Sequence, residues 1–268
     1  MMWHVLALPL VEVVLIGALA GLVGCLAVLG RRVFFAEAVT HGTFPGAVLG
    51  VVVAQILGWN LSASLFAGAF LLCLPLTWLM FRLSTVISAE AAAGVVLTLG
   101  FGGGYFLNKW FQPLPLKIES FLTGSILTAS TLDVAAAAAI LGAALIFVGV
   151  FRRRLVFEMF DPVGYRAVGL KPLGGWVLAL IMATVVVMIP AVGTILPLAL
   201  LAAPAAGLRG WARSPGLVLA LAPLVGVACG VTGLLAAAAL NLSAGGMISL
   251  VAGGFYVLSA GAARLLRR

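Results

Sequence analysis

GLVLALAPLVGVACGVTGLLAAA, residues 216–238, runs without a single charged residue. About 20 apolar residues carry an α-helix across the hydrocarbon core of a bilayer. This stretch therefore reads as a membrane-spanning helix. The chain around it has the same character. Of 268 residues, 64% are hydrophobic and 8% are charged, and mean hydropathy is +1.29. A water-soluble domain carries about 25% charged residues. So apolar a chain cannot present a surface to water, and its solvent is lipid.

The same length test divides the rest into about nine spans: 5–30, 40–58, 61–81, 90–107, 131–151, 174–192, 193–208, 216–238 and 246–263. Counts of eight to ten remain compatible, because the sixth and seventh are parted only by Pro190 and Gly193. The expected fold is all-α, a polytopic transmembrane helix bundle forming one domain over 1–268. Residues 111–130 are polar enough to read as a loop with a short, partly embedded helix. LVGC, residues 22–25, resembles a lipoprotein cleavage box, but no basic residue precedes it and Glu12 interrupts the apolar run. It reads as part of the first span.

Net charge is +8, and the cations stand at the ends of apolar runs. With the N-terminus outside and the C-terminus inside, Arg31, Arg32, Arg82, Arg152, Arg153, Arg154, Arg166, Lys171, Arg209, Arg213, Arg264, Arg267 and Arg268 fall inside. Lys109 and Lys117 fall outside, so the nine-span count obeys the positive-inside rule. No basic-aromatic stripe of the kind that binds nucleic acid is present. Cys25, Cys73 and Cys229 have no metal-ligand or redox spacing and read as small buried residues. Small residues recur four apart at Gly17 and Gly21, at Gly42, Gly46 and Gly50, at Gly100 and Gly104, and at Gly226 and Gly230. This spacing lets helices pack closely in lipid. The sequence has no P-loop, GxSxG or HExxH pattern, so it does not read as an enzyme and carries no ATP site of its own.

Two stretches carry chemistry. EAVTHGTFPG, residues 37–46, places Glu37 and His41 four apart, on one face of a helix. Carboxylate and imidazole together suit Mn²⁺, Zn²⁺ or Fe²⁺. Two donors are too few for a permanently held metal, which suits a transit site; the plainer alternative is a hydrogen-bonded pair near the membrane surface. An ionisable residue within a span is a functional candidate by default, and Glu12 is another, to be weighed against a helix–helix hydrogen bond. The second stretch is RRRLVFEMFDPVGYRAVGLKPLGG, residues 152–175, read as the longest inside loop. Asp161-Pro162 opens a short helix and Gly169 closes it. Its apolar residues need cover, from the bundle's own floor, from the lipid surface or from the groove of a partner protein.

With these residues in view, the chain resembles the permease subunits of metal-ion ABC importers of the manganese, zinc and iron type. RRVFFAEAVTHGTFPGAVLG (31–50), FLTGSILTAS (121–130), FDPVGYRAVGL (160–170) and AVGTILPLALLAAPAA (191–206) carry the resemblance in order, and NLSAGGMISLVAGGFYVLS (241–259) more weakly. The resemblance implies alternating access in a bacterial inner membrane. It also implies ABC ATPase subunits at the cytoplasmic face, an extracytoplasmic solute-binding protein and a second permease copy. No cofactor is held permanently; a divalent metal ion is the cargo. The family's pathway ligands land on Glu37 and His41, and its ATPase-coupling motif lands on Phe160, Asp161, Pro162, Arg166, Ala167, Gly169 and Leu170. Glu37 stands where the family usually has Asp, Thr40 where it has Ser, and Asn241-Leu242-Ser243-Ala244-Gly245 where it reads Asp-Leu-Pro-Ser-Gly. Alternative cargoes are a metal chelate or a cobalamin-like ligand, and the alternative class is a secondary carrier or channel independent of an ATPase.

Overall fold

Side chains that cap backbone groups set many of the helix ends. Asn60, Ser88, Ser130 and Ser214 each accept an N–H of the following first turn, satisfying donors a helix leaves open. Ser130 and Asp133 do so reciprocally, as a capping box. Left-handed residues stop other helices: Gly58 and Asn241 each stand at a C-cap. A computed structural model describes residues 2–114, 126, 129–193 and 197–265. Among these residues it contains α1 (Met2–Leu29), α2 (Val33–Leu57), α3 (Leu61–Leu83), α4 (Ala89–Trp110), α5 (Thr131–Phe160), α6 (Pro162–Ala167), α7 (Gly174–Val192), α8 (Pro197–Leu208), α9 (Pro215–Leu240) and α10 (Ala244–Leu265).

The fold is all-α, and seven of the helices are long and apolar enough to cross a membrane. The other two apolar helices, α7 and α8, are shorter. At about 1.5 Å per residue α8 extends only about 18 Å. The sequence-based spans correspond one to one with these nine helices. Gly193, with φ +80°, ends α7, at the boundary the sequence marks with Pro190 and Gly193. In the loop expected over 111–130, residues 115–125, 127 and 128 lie outside the described residues, and with them FLTGSILTAS except Ile126, Ala129 and Ser130; Thr194, Ile195 and Leu196 of the fourth motif also lie outside.

Two differences from the sequence reading matter. Helix α2 starts at Val33 rather than at residue 40, so EAVTHGTFPG lies wholly within it. Charge at Arg32 and Glu37 shortens the apolar run but does not stop the helix. Helix α5 continues to Phe160 rather than ending at 151. Arg152, Arg153 and Arg154 therefore stand on its last turns, not in a loop.

Burial follows the lipid solvent. Helices α1 and α2 are mostly enclosed by protein, whereas α3, α5 and α10 are mostly uncovered. Helix α1 packs against α9, α8 and α5, while α2 packs against α3 and α4; α7 touches both groups. Glycines allow the closest contacts. A methyl group on Gly17 would come within 2.7 Å of the Gly226 carbonyl oxygen, and one on Gly100 within 2.8 Å of the Gly42 Cα. Side chains cannot fit there, so backbones meet directly. All three cysteines are free and buried.

Candidate metal pathway and coupling segment

Helix geometry places Glu37 about 6 Å and His41 about 12 Å along the axis from Val33. That is deeper than a helix starting at residue 40 would put them. Both side chains are half-buried. The His41 ring stands edge-on to Phe101 of α4, with centroids 5.7 Å apart and planes at 83°. Its Nδ1 is buried and has no hydrogen-bond partner. Buried polar atoms in proteins are nearly always bonded, so an orphan of this kind calls for an explanation. Glu37 is near enough to act on His41 electrostatically.

The backbone around His41 is unusual too. Pro45, four residues on, lacks the N–H that would bond the His41 carbonyl. That carbonyl faces α4, where a methyl group on Gly100 would lie 2.8 Å from its oxygen. Thr40 turns its hydroxyl back to the Ala36 carbonyl at 2.8 Å, and Thr43 to the Thr40 carbonyl at 2.6 Å. The two threonines are therefore spent within α2, leaving Glu37 and His41 as the available donors in its first three turns. Among the described residues no group of three or more His, Cys, Asp and Glu could hold a metal ion. Glu12 is 1% exposed in α1 and its Oε2 has no partner, so the helix–helix hydrogen bond weighed for it is not made at that oxygen. A separate groove of about 590 Å³ between α2 and α3 is lined by Gly46, Gly50, Trp59 and Leu71 among others. It is apolar and excludes both Glu37 and His41.

The second segment is built oppositely. Asp161 caps α6, its Oδ1 accepting the Gly164 N–H at 2.8 Å, and Pro162 occupies the first turn. Tyr165 is fully buried; its hydroxyl donates to the Lys171 carbonyl at 3.0 Å and its ring meets Phe157 edge-on. Gly169, at φ +75°, ends the segment. Phe160 is 63% and Val163 78% exposed. Asp161, Pro162, Arg166, Ala167 and Gly169 are exposed and Leu170 is half-buried. Thus most of the residues singled out from the sequence are exposed, around a buried Tyr165.

Two important residues were not legible in the sequence. Glu158, in the last turn of α5, accepts the N–H of Leu173 at 2.7 Å and of Gly174 at 3.2 Å. Arg32, before α2, donates to the Gly174 carbonyl at 2.6 Å. Burial pulls the Arg32 guanidinium below its ordinary range, with the Glu158 carboxylate acting against that. Arg31, Arg32, Glu158, Phe160, Arg166 and Arg209 line one recess of about 500 Å³.

Comparison with known proteins adds a second line of evidence. The model of the ABC 3 transport family matches residues 2–262. A zinc transport system membrane protein, TroC of Treponema pallidum, is 34% identical over 234 residues, covering 83% of this chain and 76% of that protein. The manganese import system permease protein ScaB of Streptococcus gordonii is 27% identical over 234 residues, covering 87% and 82%. Among solved structures, PsaBC from Streptococcus pneumoniae in complex with Fab superposes with a TM-score of 0.83 at 26% identity, covering 96% of this chain and 91% of that one.

Proposed function

This chain belongs to the ABC 3 transport family, and from that premise we propose that it is the permease subunit of an importer that carries a divalent transition-metal ion into the cytoplasm. The cargo is Mn²⁺, Zn²⁺ or Fe²⁺, and no cofactor is held permanently. The chain catalyses no reaction; ATP is hydrolysed by separate ATPase subunits. The protein is a multi-pass component of a bacterial inner membrane, with its N-terminus outside. The α6 end of the bundle is cytoplasmic. Every described Lys and Arg except Lys109 belongs to that end in the helix order, which supports this orientation.

Residues 1–268 form a single permease domain, and 152–175 deliver the coupling surface. Phe160, Asp161, Pro162, Arg166, Ala167, Gly169 and Leu170 fit a groove on the ATPase: a capped, rigid short helix bearing exposed apolar side chains is suited to such docking. ATP binding draws two such helices together and switches the bundle between outward and inward access. An extracytoplasmic solute-binding protein supplies the ion.

One observation carries the metal reading: the unpartnered His41 Nδ1, on the same face of α2 as Glu37. A nitrogen left without a hydrogen bond is available to an ion. Glu37 and His41 make half of a four-donor set, and a second copy related by two-fold symmetry supplies the same two again. Fixed donors of this kind favour a bare ion over a chelate or a cobalamin-like ligand. A half-filled, shared set also lets an ion leave, as transport requires. The test is metal accumulation at limiting external metal in cells expressing Glu37→Ala or His41→Ala. Loss of uptake with normal membrane levels of the complex is expected. Unchanged uptake would overturn the site.

A further inference from the structure

The contacts among Arg32, Gly174 and Glu158 join three parts of the chain that sequence separates widely. Glu158 lies three residues before the α6 cap, Asp161. Its two oxygens take the N–H groups of Leu173 and Gly174, at 2.7 and 3.2 Å. These are donors at the start of α7 that a helix cannot satisfy internally. The 15-residue turn from α5 through α6 to α7 is thereby closed at its base by one carboxylate. Tyr165, fully buried and bonded to the Lys171 carbonyl, fixes α6 inside that turn. Movement of α6 therefore moves the base with it.

The base is then tied to α2. The Gly174 carbonyl accepts Arg32 Nη1 at 2.6 Å. A methyl group on Gly174 would lie 2.6 Å from Arg32 Nη2, so only glycine allows the guanidinium this close. Arg32 is itself held firmly. Its N–H bonds the Ala27 carbonyl at 2.7 Å, and the Arg31 N–H bonds the Val28 carbonyl at 3.3 Å. That is the paired pattern of a Schellman ending to α1. Arg31 occupies its left-handed position, at φ 55°, where glycine is usual. Arg32 is also the residue from which α2 starts. A helix transmits displacement along its axis, and Glu37 and His41 lie on its second and third turns.

We infer that Arg32 and Glu158 are positioning residues that transmit movement of the coupling helix α6 to Glu37 and His41 through the Gly174 backbone. The inference rests on the reading of the chain as an ATPase-driven permease. Neither side chain touches the ion or the ATP. They determine how many hydrolysis events carry an ion across. A carboxylate and a guanidinium suit this role because charge-assisted hydrogen bonds are the stronger kind. They hold while the helices around them move.

The experiment uses the complete complex of permease, ATPase subunits and binding protein in liposomes. Mn²⁺ and Zn²⁺ serve in turn as the probe, with uptake and ATP hydrolysis measured together. Arg32→Gln should leave assembly and hydrolysis close to the parent while lowering ions moved per ATP by about tenfold, the scale of one lost charge-assisted hydrogen bond. Arg32→Lys, which keeps a charged donor for one carbonyl, should recover most of that ratio. Glu158→Gln should lower the ratio in the same direction, and it decides the matter if Arg32→Gln does not assemble. A ratio unchanged in the assembled variants, with uptake and hydrolysis falling in step, would overturn the inference. Failure of the parent complex to take up either ion with ATP would instead overturn the proposed function itself.

Discussion

The segment of α2 around His41 and the segment around α6 are both short polar interruptions in an apolar chain, and they handle their polar groups in opposite ways. Around α6 three polar side chains are used locally: Asp161 caps, Glu158 takes two N–H groups, and Tyr165 finds a carbonyl. Large apolar side chains stand uncovered there, at Phe160 and Val163. Around His41 the apolar neighbours Phe35, Val39 and Phe44 are packed, and what stays unmet is polar: the His41 Nδ1. Burying an unbonded polar atom costs about 1 to 3 kcal/mol, and exposing large apolar side chains wastes their burial energy. Each region thus leaves open a different kind of interaction. One suits an ion; the other suits a protein surface.

Substitutions that exchange these properties put the contrast at risk. The largest effect is expected from Val163→Asp. A lone carboxylate buried against a partner costs about 3 to 5 kcal/mol, so capture of the ATPase subunits should fall at least a hundredfold. Metal binding by the permease should be untouched, and the two are read by co-purification and by ion titration. Next comes His41→Phe, which keeps an aromatic ring against Phe101 but removes the nitrogens. Uptake should fall about tenfold or more, at least the loss seen when a group supporting a metal ligand is removed, while ATPase capture stays normal. Should either substitution damage both functions equally, the separation between the two regions fails.

A smaller effect is expected from Asp161→Ala, which removes the α6 cap at a cost of about 1 kcal/mol. ATPase capture should weaken about fivefold, and Asp161→Ser should restore it. Smallest is Arg31→Gly. A left-handed arginine costs roughly 1 kcal/mol, part of which glycine's greater unfolded freedom returns. Thermal stability of the purified permease should rise slightly, with transport per ATP unchanged, because Arg32 rather than Arg31 makes the bond to Gly174. A clear loss of stability would show that the Arg31 side chain contributes more than the backbone strain it brings.

Much of this organisation could be read from the chain because lipid imposes a simple rule. A span needs about 20 apolar residues, and the arginines mark where spans end. The ends of α3, α4 and α9 lie within a few residues of the expected ones for that reason. The α6 helix was legible because its signals are local: Asp161 and Pro162 at the start and Gly169 at the stop. Hydropathy misplaced the start of α2 and the end of α5, since both helices continue past the apolar zone into charged sequence. Arg32 with Gly174 could not be seen at all. The bond spans 142 positions, and nothing near either residue distinguishes this arginine from the others at the same face. Glu37 and His41 were legible as a pair from their spacing. That His41 Nδ1 is buried without a partner depends on how α4 packs against α2.

The proposed pathway requires that the transported ion bind His41. Zn²⁺ X-ray absorption on the purified permease in nanodiscs tests it directly. Because the chain has two histidines, His4 and His41, a His4→Ala background leaves one possible imidazole per chain. Multiple scattering from imidazole, with a zinc–nitrogen distance of about 2.0 to 2.1 Å, is predicted in that background and should vanish when His41→Ala is added. Bound zinc without imidazole scattering in the His4→Ala background, or an unchanged spectrum after His41→Ala, would rule out His41 as a ligand.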